Sequence, residues 1–317
     1  MKVSDVLSRE EIQELMQASD LKGFQALATT WLMIIGSFAL VAYFPNVFTV
    51  LFALMILGGR HLALAILMHD ASHYSLFKTK WMNDFFGNWF CAFPTWQDLR
   101  RYRTHHLTHH KFAGSEKDPD LDLVSAFPVS KKSLQRKFLR DLTGISGIKR
   151  IYGLLLMDLG FIRYTVSSNV VKLDQTGRGA SDYIKDGFVN LHGVVITNIV
   201  LFFALLLCHH PELYLLWIVS YLIPFSVFVR IRSIAEHACT EMNLDPLKNT
   251  RTTYATPLAR VTVAPHFVNY HLEHHFLMTV PHFQFKKMHA LLLERGVFKE
   301  GYLAKNYNEV LKGAVKN

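Results

Sequence analysis

The feature that most limits the fold is an uninterrupted apolar run: residues 24–44 carry no charged side chain. At about 1.5 Å per residue, a helix of that length crosses the roughly 30 Å hydrocarbon core of a bilayer. The run therefore predicts a transmembrane helix. A Pro45-Asn46 turn follows, and residues 47–68 form a second apolar run interrupted only by Gly58, Gly59, Arg60 and His61. Residues 188–208 and 213–229 repeat the pattern around the HHPE connection at 209–212. The expectation is an all-α integral membrane protein with four spans arranged as two hairpins. A cleaved signal peptide fits poorly, because the first run begins after a polar segment containing Glu10, Glu11 and Glu14.

Both hairpin tips lack Lys and Arg, and Arg60 is the one basic residue inside a span. The positive-inside rule then puts the termini and the long segments in the cytoplasm. These segments, 69–187 and 230–317, would form a helical cap, and the whole chain, 1–317, one membrane domain. The same asymmetry accounts for the net charge of +9 without a nucleic acid partner. Residues 81–96, rich in aromatics, and residues 151–168, apolar but carrying Asp158 and Arg163, are expected to lie in the membrane surface. Three separated cysteines with no CxxC exclude a disulfide framework and a thiolate metal site.

The chain has 17 histidines, and they are clustered. His69 and His73 stand in HDASH directly after the second span. If that helix continues, the two rings share a face one turn apart. His106, His109 and His110 form HLTHH, and His271, His274 and His275 form HLEHH. On a helix, each HxxHH aims three imidazoles the same way. Random placement of the histidines would give two such motifs in about one chain in a thousand. After the last span comes RIRSIAEHA, in which His237 is expected at a height similar to HDASH. Imidazole suits iron, zinc, copper and nickel. Nine histidines exceed one tetrahedral zinc and suit two five- or six-coordinate ions with open positions. Two redox metals beside lipid imply oxygen activation on a lipid-soluble substrate.

HDASH, HHLTHHKF followed by DPDLD, and NYHLEHHF followed by VPHF resemble the three histidine boxes of the integral-membrane fatty acid desaturase and hydroxylase superfamily. The resemblance covers most of the chain, from about Arg60 to Leu293. It implies a four-span protein whose cytosolic cap holds a diiron centre above an acyl tunnel, with dioxygen as co-substrate. The implied iron ligands are His69, His73, His106, His109, His110, His237, His271, His274 and His275. In acyl-CoA desaturases of the superfamily an Asn one turn before the isolated His holds a metal-bound water. This chain has Ser233 there. His105 is an alternative to His106 as the partner of His109, and the motif alignment favours His106.

Asp70, Glu236 and Glu273 each adjoin an expected ligand and suit the role of acceptor for its second ring nitrogen; solvated helix carboxylates are the alternative. Arg60 and His61 lie inside an apolar run, where ionisable groups tend to be functional, and Arg60 is expected to snorkel to the cytoplasmic interface. His192, His209, His210, His266, His282 and His289 receive no role, and the basic run 131–140 reads as a solvated helix at the headgroups.

The leading functional expectation is oxygen-dependent desaturation of a long acyl chain. Hydroxylation or ketolation of a lipid or carotenoid is the close alternative. A metal transporter is the distant one, since transporters hold their ligands near the bilayer midplane. Desaturation with dioxygen needs two electrons beyond those of the substrate. With no GxGxxG, CxxC or HPGG motif in the chain, these imply a separate donor: a ferredoxin, a rubredoxin or a b-type cytochrome with its reductase. The basic stretches 100–103 and 131–140 would attract an acidic carrier.

Overall fold

The computed structural model describes residues 1–167 and 169–316. It is mostly helical. Among the described residues four helices are long and apolar enough to cross a membrane: Asp20–Tyr43, Val47–Ser72, Ala180–Leu207 and Pro211–His237. Each extends past at least one end of the apolar run that predicts it. Ser19 accepts a hydrogen bond from the Lys22 amide and starts the first helix, α1 (Asp20–Tyr43), four residues before the apolar run. Asn46 caps the second, α2 (Val47–Ser72), by accepting from the Phe48 and Thr49 amides. The continuation of α2 to Ser72 puts His69 on the helix and His73 at its C-cap.

Beyond α2, residues 81–96 form an irregular helical path: an α-helical segment Lys80–Phe86, a π-type turn Gly87–Ala92 and a 3-10 turn Phe93–Thr95. Asp98 then caps α3 (Leu99–Phe112), which carries the second histidine motif. The basic run is a helix, α4 (Lys131–Leu142), capped by Ser130. The predicted surface segment 151–168 is the second half of α5 (Ile145–Asp158) and the turn after it; its last residue, Ser168, lies outside the described residues.

The third long helix is α6 (Ala180–Leu207). The fourth is broken at Ile223, whose φ/ψ of −107°/−82° separates α7 (Tyr214–Leu222) from α8 (Pro224–His237). Pro224 at the first helical position explains the break, since its ring removes an amide donor and excludes helical geometry from the residue before it. One departure from an all-α chain is a short parallel pair, β1 (Arg251–Thr253) with β2 (Tyr302–Ala304), Thr252 opposite Leu303. It supports α9 (His271–Phe276), the third histidine motif, in front of α10 (Phe285–Glu294).

Leu32, Ile35, Phe48, Leu51, Phe188, Val200 and Leu207 are all exposed on the long helices. So much outward apolar surface suits lipid, and the chain is a membrane protein. The inward faces of α1, α2, α6 and α7 share Ile34, Phe38, Leu57, Leu64, Leu205 and Trp217. A second core, with Leu247, Leu272, Met288 and Leu292, lies around α9 and α10. Between them α2 makes a close contact. A Cβ on Gly59 would stand 2.1 Å from the Val261 carbonyl oxygen, and Arg60 Nη2 donates to that same oxygen at 2.8 Å. Arg60 is buried, which corrects the expectation that it snorkels to water.

Candidate metal centre

Four helices bring their histidines to one place, His73 from a C-cap and the others from within the helices. His69 and His73 come from the end of α2, His106, His109 and His110 from α3, His237 from the end of α8, and His271, His274 and His275 from α9. The ligand atoms of His69, His73, His106, His110 and His274 lie within 4.8 Å of one another, and so do those of His109, His237 and His275. His271 joins the second group through a 2.8 Å Nε2 to Nε2 approach to His237. The two groups touch, with the His110 and His275 ring centroids 4.3 Å apart. His105 stands outside, its Nε2 2.8 Å from Asp120 Oδ1, so His106 is the member of the motif that enters the cluster.

Which nitrogens face inward follows from what holds the outer ones. His109 Nδ1 donates to Asp118 at 2.8 Å, His69 Nδ1 to Asp70 at 3.1 Å and His237 Nδ1 to the Asn249 carbonyl at 3.0 Å. A proton fixed on Nδ1 leaves a lone pair on Nε2. Yet the Nε2 atoms of His69 and His110 both stand 2.9 Å from Nε2 of His274, and that of His106 stands 3.0 Å from His110. One Nε2–H cannot serve these contacts together, and lone pairs facing at such distances repel. A cation between them resolves the conflict. Two imidazoles at right angles on an ion with bonds of about 2.1 Å have nitrogens about 3.0 Å apart. Nε2 of His73 and of His275 are buried with no hydrogen-bond partner, which also suits a bound ion. The donor set therefore fits a metal.

The electrostatics agree. Burial, reinforced by neighbouring imidazoles, pushes His106, His110, His271, His274 and His275 well below the ordinary histidine value. Burial also lowers His73, to about 3. The rings are thus neutral, the state that metal ligation requires. His109 is the exception. Burial lowers it, but the hydrogen bond to Asp118 and the charges of Asp120 and Asp118 outweigh that and raise it.

The residues outside the cluster divide. Asp70 accepts from His69 on one oxygen and from His282 Nδ1 on the other, at 2.8 Å. Glu236 Oε1 stands 3.5 Å from His271 Nδ1 and accepts from Arg232 Nε at 2.6 Å. Glu273 touches no cluster ring; it binds Thr252 and His289, anchoring α9 to β1 and α10. Ser233 bonds back to the Val229 carbonyl. His61 lies among Trp217, Tyr221 and Ser220, away from the cluster. His282 and His289, given no role from sequence, thus form an outer layer, and Asp118 belongs to it too. The signals for His282 and Asp118 were the VPHF and DPDLD runs beside the motifs, and His289 lies in neither. The Asn249 carbonyl had none, being backbone.

A cavity of about 490 Å³ opens beside the cluster. His106, His109, His237 and His271 form part of its lining, as do Leu62, Leu154, Phe225 and Val229 from α2, α5 and α8.

These features put the chain among membrane proteins with a histidine-built candidate metal centre next to a cavity. It belongs to the fatty acid desaturase family, whose family model matches residues 45–307. It is also similar to the dihydrorhizobitoxine desaturase of Bradyrhizobium elkanii, at 27% identity over 247 residues, 76% of this chain and 67% of that protein. The protein is therefore an oxidoreductase of the desaturase kind, from a family that acts on lipid substrates in membranes.

Proposed function

We propose that the nine histidines hold two iron ions and that the protein inserts a double bond into an acyl chain lying in the adjoining cavity. The observation that carries this reading is the convergence of Nε2 lone pairs, in two touching groups, beside a cavity lined in part by apolar side chains. Two irons held by these histidines would supply the dioxygen chemistry that removal of two hydrogens from neighbouring carbons requires. The chain's own residues do the rest. Asp70, Asp118 and the Asn249 carbonyl keep the Nδ1 protons outward and so keep Nε2 available inside. Leu62, Leu154, Phe225 and Val229 hold methylenes against the cluster and exclude water. A desaturase among the relatives favours an alkene over an alcohol as product.

In this reading the four long helices cross the bilayer as two hairpins, with the cluster and both termini cytoplasmic and the rest of the chain as a cap over one domain. The two remaining electrons come from a separate carrier docking on the cap. The test is expression in a heterologous host with iron, followed by metal analysis of the purified protein and mass spectrometry of the host's lipids. Close to two irons per chain and an oxygen-dependent new double bond are expected. A single zinc with no gain of activity on adding iron overturns the metal reading; an alcohol product overturns the desaturation.

A further inference from the structure

The cavity has a second, polar wall. Arg232 on α8 lines it, together with Tyr102 on α3, Gln97 and the carboxylates of Asp118, Asp120 and Glu236. Arg232 lies three residues past the apolar run 213–229 and its side chain is 20% exposed, so its charge has to be met by polar partners in the cavity. What binds follows from which groups already have partners. Asp118 accepts from His109, Asp120 from His105 and Glu236 from Arg232. Each carboxylate is engaged by a donor of the protein through one of its two oxygens.

The donors are less well served. Glu236 takes only Nε of Arg232, side-on, at 2.6 Å. Among the described residues neither Nη of Arg232 has a hydrogen-bond partner, and neither has the Tyr102 hydroxyl hydrogen or the Gln97 side-chain amide nitrogen, whose carbonyl accepts from Tyr164 at 2.7 Å. The Tyr102 ring is held by stacking on His106, centroids 5.1 Å apart, so its hydroxyl is positioned next to the cluster. The unpaired donors are headed by the end-on fork of a guanidinium, and they stand beside the second oxygens of Asp118, Asp120 and Glu236, which also have no hydrogen-bond partner among the described residues. That fork matches a carboxylate in geometry and charge.

We propose that the substrate enters as a free carboxylic acid, its carboxylate held by Arg232 with Tyr102 and Gln97, and its hydrocarbon against Leu62, Leu154, Phe225 and Val229. This rests on the reading of the histidine cluster as the reaction centre. Arg232 precedes His237 by five residues, about 7.5 Å along the helix axis. An acid held there presents carbons close to its carboxylate to the cluster. The volume agrees, since about 490 Å³ is in the range that encloses a compact ligand whole. A thioester on a bulky carrier would leave its head outside and the donors unpaired.

The test compares sodium octanoate, methyl octanoate and octylamine, each below its micelle concentration, by calorimetry on iron-loaded protein in detergent. The wild type should bind the acid at least about tenfold more tightly than the ester, the scale of a charge-assisted hydrogen bond. Arg232→Gln should erase that preference while ester affinity and iron content stay unchanged. Tyr102→Phe should lower acid binding alone, by a smaller factor. If Arg232→Gln does not fold or loses iron, Arg232→Lys, which keeps the charge but not the fork, decides: part of the preference should survive. Equal binding of acid and ester by the wild type, a preference that persists in Arg232→Gln, or tighter binding of the amine would each overturn the proposal. Protein that fails the acid test with its irons and desaturation intact refutes only this inference, whereas protein without iron refutes the reading beneath it.

Discussion

Helices α2 and α6 are alike as sequences, with 26 and 28 residues and equal hydropathy in their most apolar stretches. In the fold they differ: 61% of that stretch is buried in α2 and 17% in α6. Apolar content tells which segments enter a membrane, but not which of them enter the protein. The polar residues make that distinction. On α6, Asn198 bonds back to the Val194 carbonyl one turn earlier and accepts from Tyr214, and His192 bonds to Val189. On α2, Arg60 reaches Val261 and Asp70 reaches His282, both some two hundred residues away. Polar groups in an apolar helix that find partners at long range pull that helix into the centre, and the histidine cluster is assembled at its end.

The contrast should appear most strongly in matched substitutions. His69→Ala on α2 should abolish turnover and lower the iron content, whereas Phe188→Ala on the outer face of α6 should change neither, as judged by product analysis and metal assay. An intermediate effect is expected for Asp70→Asn, which keeps the shape but weakens the orientation of His69. A loss of roughly 10–100-fold in iron affinity is the scale for removing such an outer partner. Loss of iron in Phe188→Ala, or its full retention in His69→Ala, would break the comparison.

A smaller effect concerns packing alone. Gly59→Ala would drive a methyl group into the Val261 carbonyl, a backbone atom with little room to move. Overpacking of this kind costs about 1–3 kcal/mol, more than the helix propensity gained from alanine. The midpoint of thermal unfolding in detergent should fall. Gly153→Ala on α5 meets nothing within 4 Å, so it should leave the midpoint unchanged or raise it slightly.

Much of this was legible before the structure, and the legible parts share a physical basis. Hydropathy located four membrane-length helices because lipid acts on every residue of a span. HxxHH located the cluster because one helical turn fixes where rings point. The burial of Arg60 was not legible: snorkelling was the cheaper expectation, and its partner carbonyl at Val261 has no signature in sequence. The roles of Asp118 and His282 could be suspected only from their closeness to the motifs. The parallel pair of β1 and β2 joins three-residue segments some fifty positions apart, too short for an alternating pattern to show. The break at Ile223 was signalled by Pro224 alone.

The smallest expected effect is the dependence of metal-free stability on pH, and it too should arise on the buried side of the molecule. Six cluster rings, His73, His106, His110, His271, His274 and His275, are held below the ordinary histidine value by burial among other imidazoles. In the unfolded chain they would titrate near pH 6.5. Below that pH the unfolded state takes up protons that the folded state refuses, so stability rises with pH through this range. It is fully present above about pH 6.5 and is lost as the pH falls, for His73 over the window down to about 3. His109 acts in the opposite sense, because its raised value favours folding at low pH, but it is one ring against six. Chelator-treated protein should therefore unfold at a falling temperature between pH 7.5 and 5, while iron-loaded protein holds its midpoint until protons displace the metal. An unfolding temperature that stays level across that window in the metal-free protein would mean that the rings are already charged and solvated. The cluster would then be formed by the metal rather than by the fold that surrounds α2.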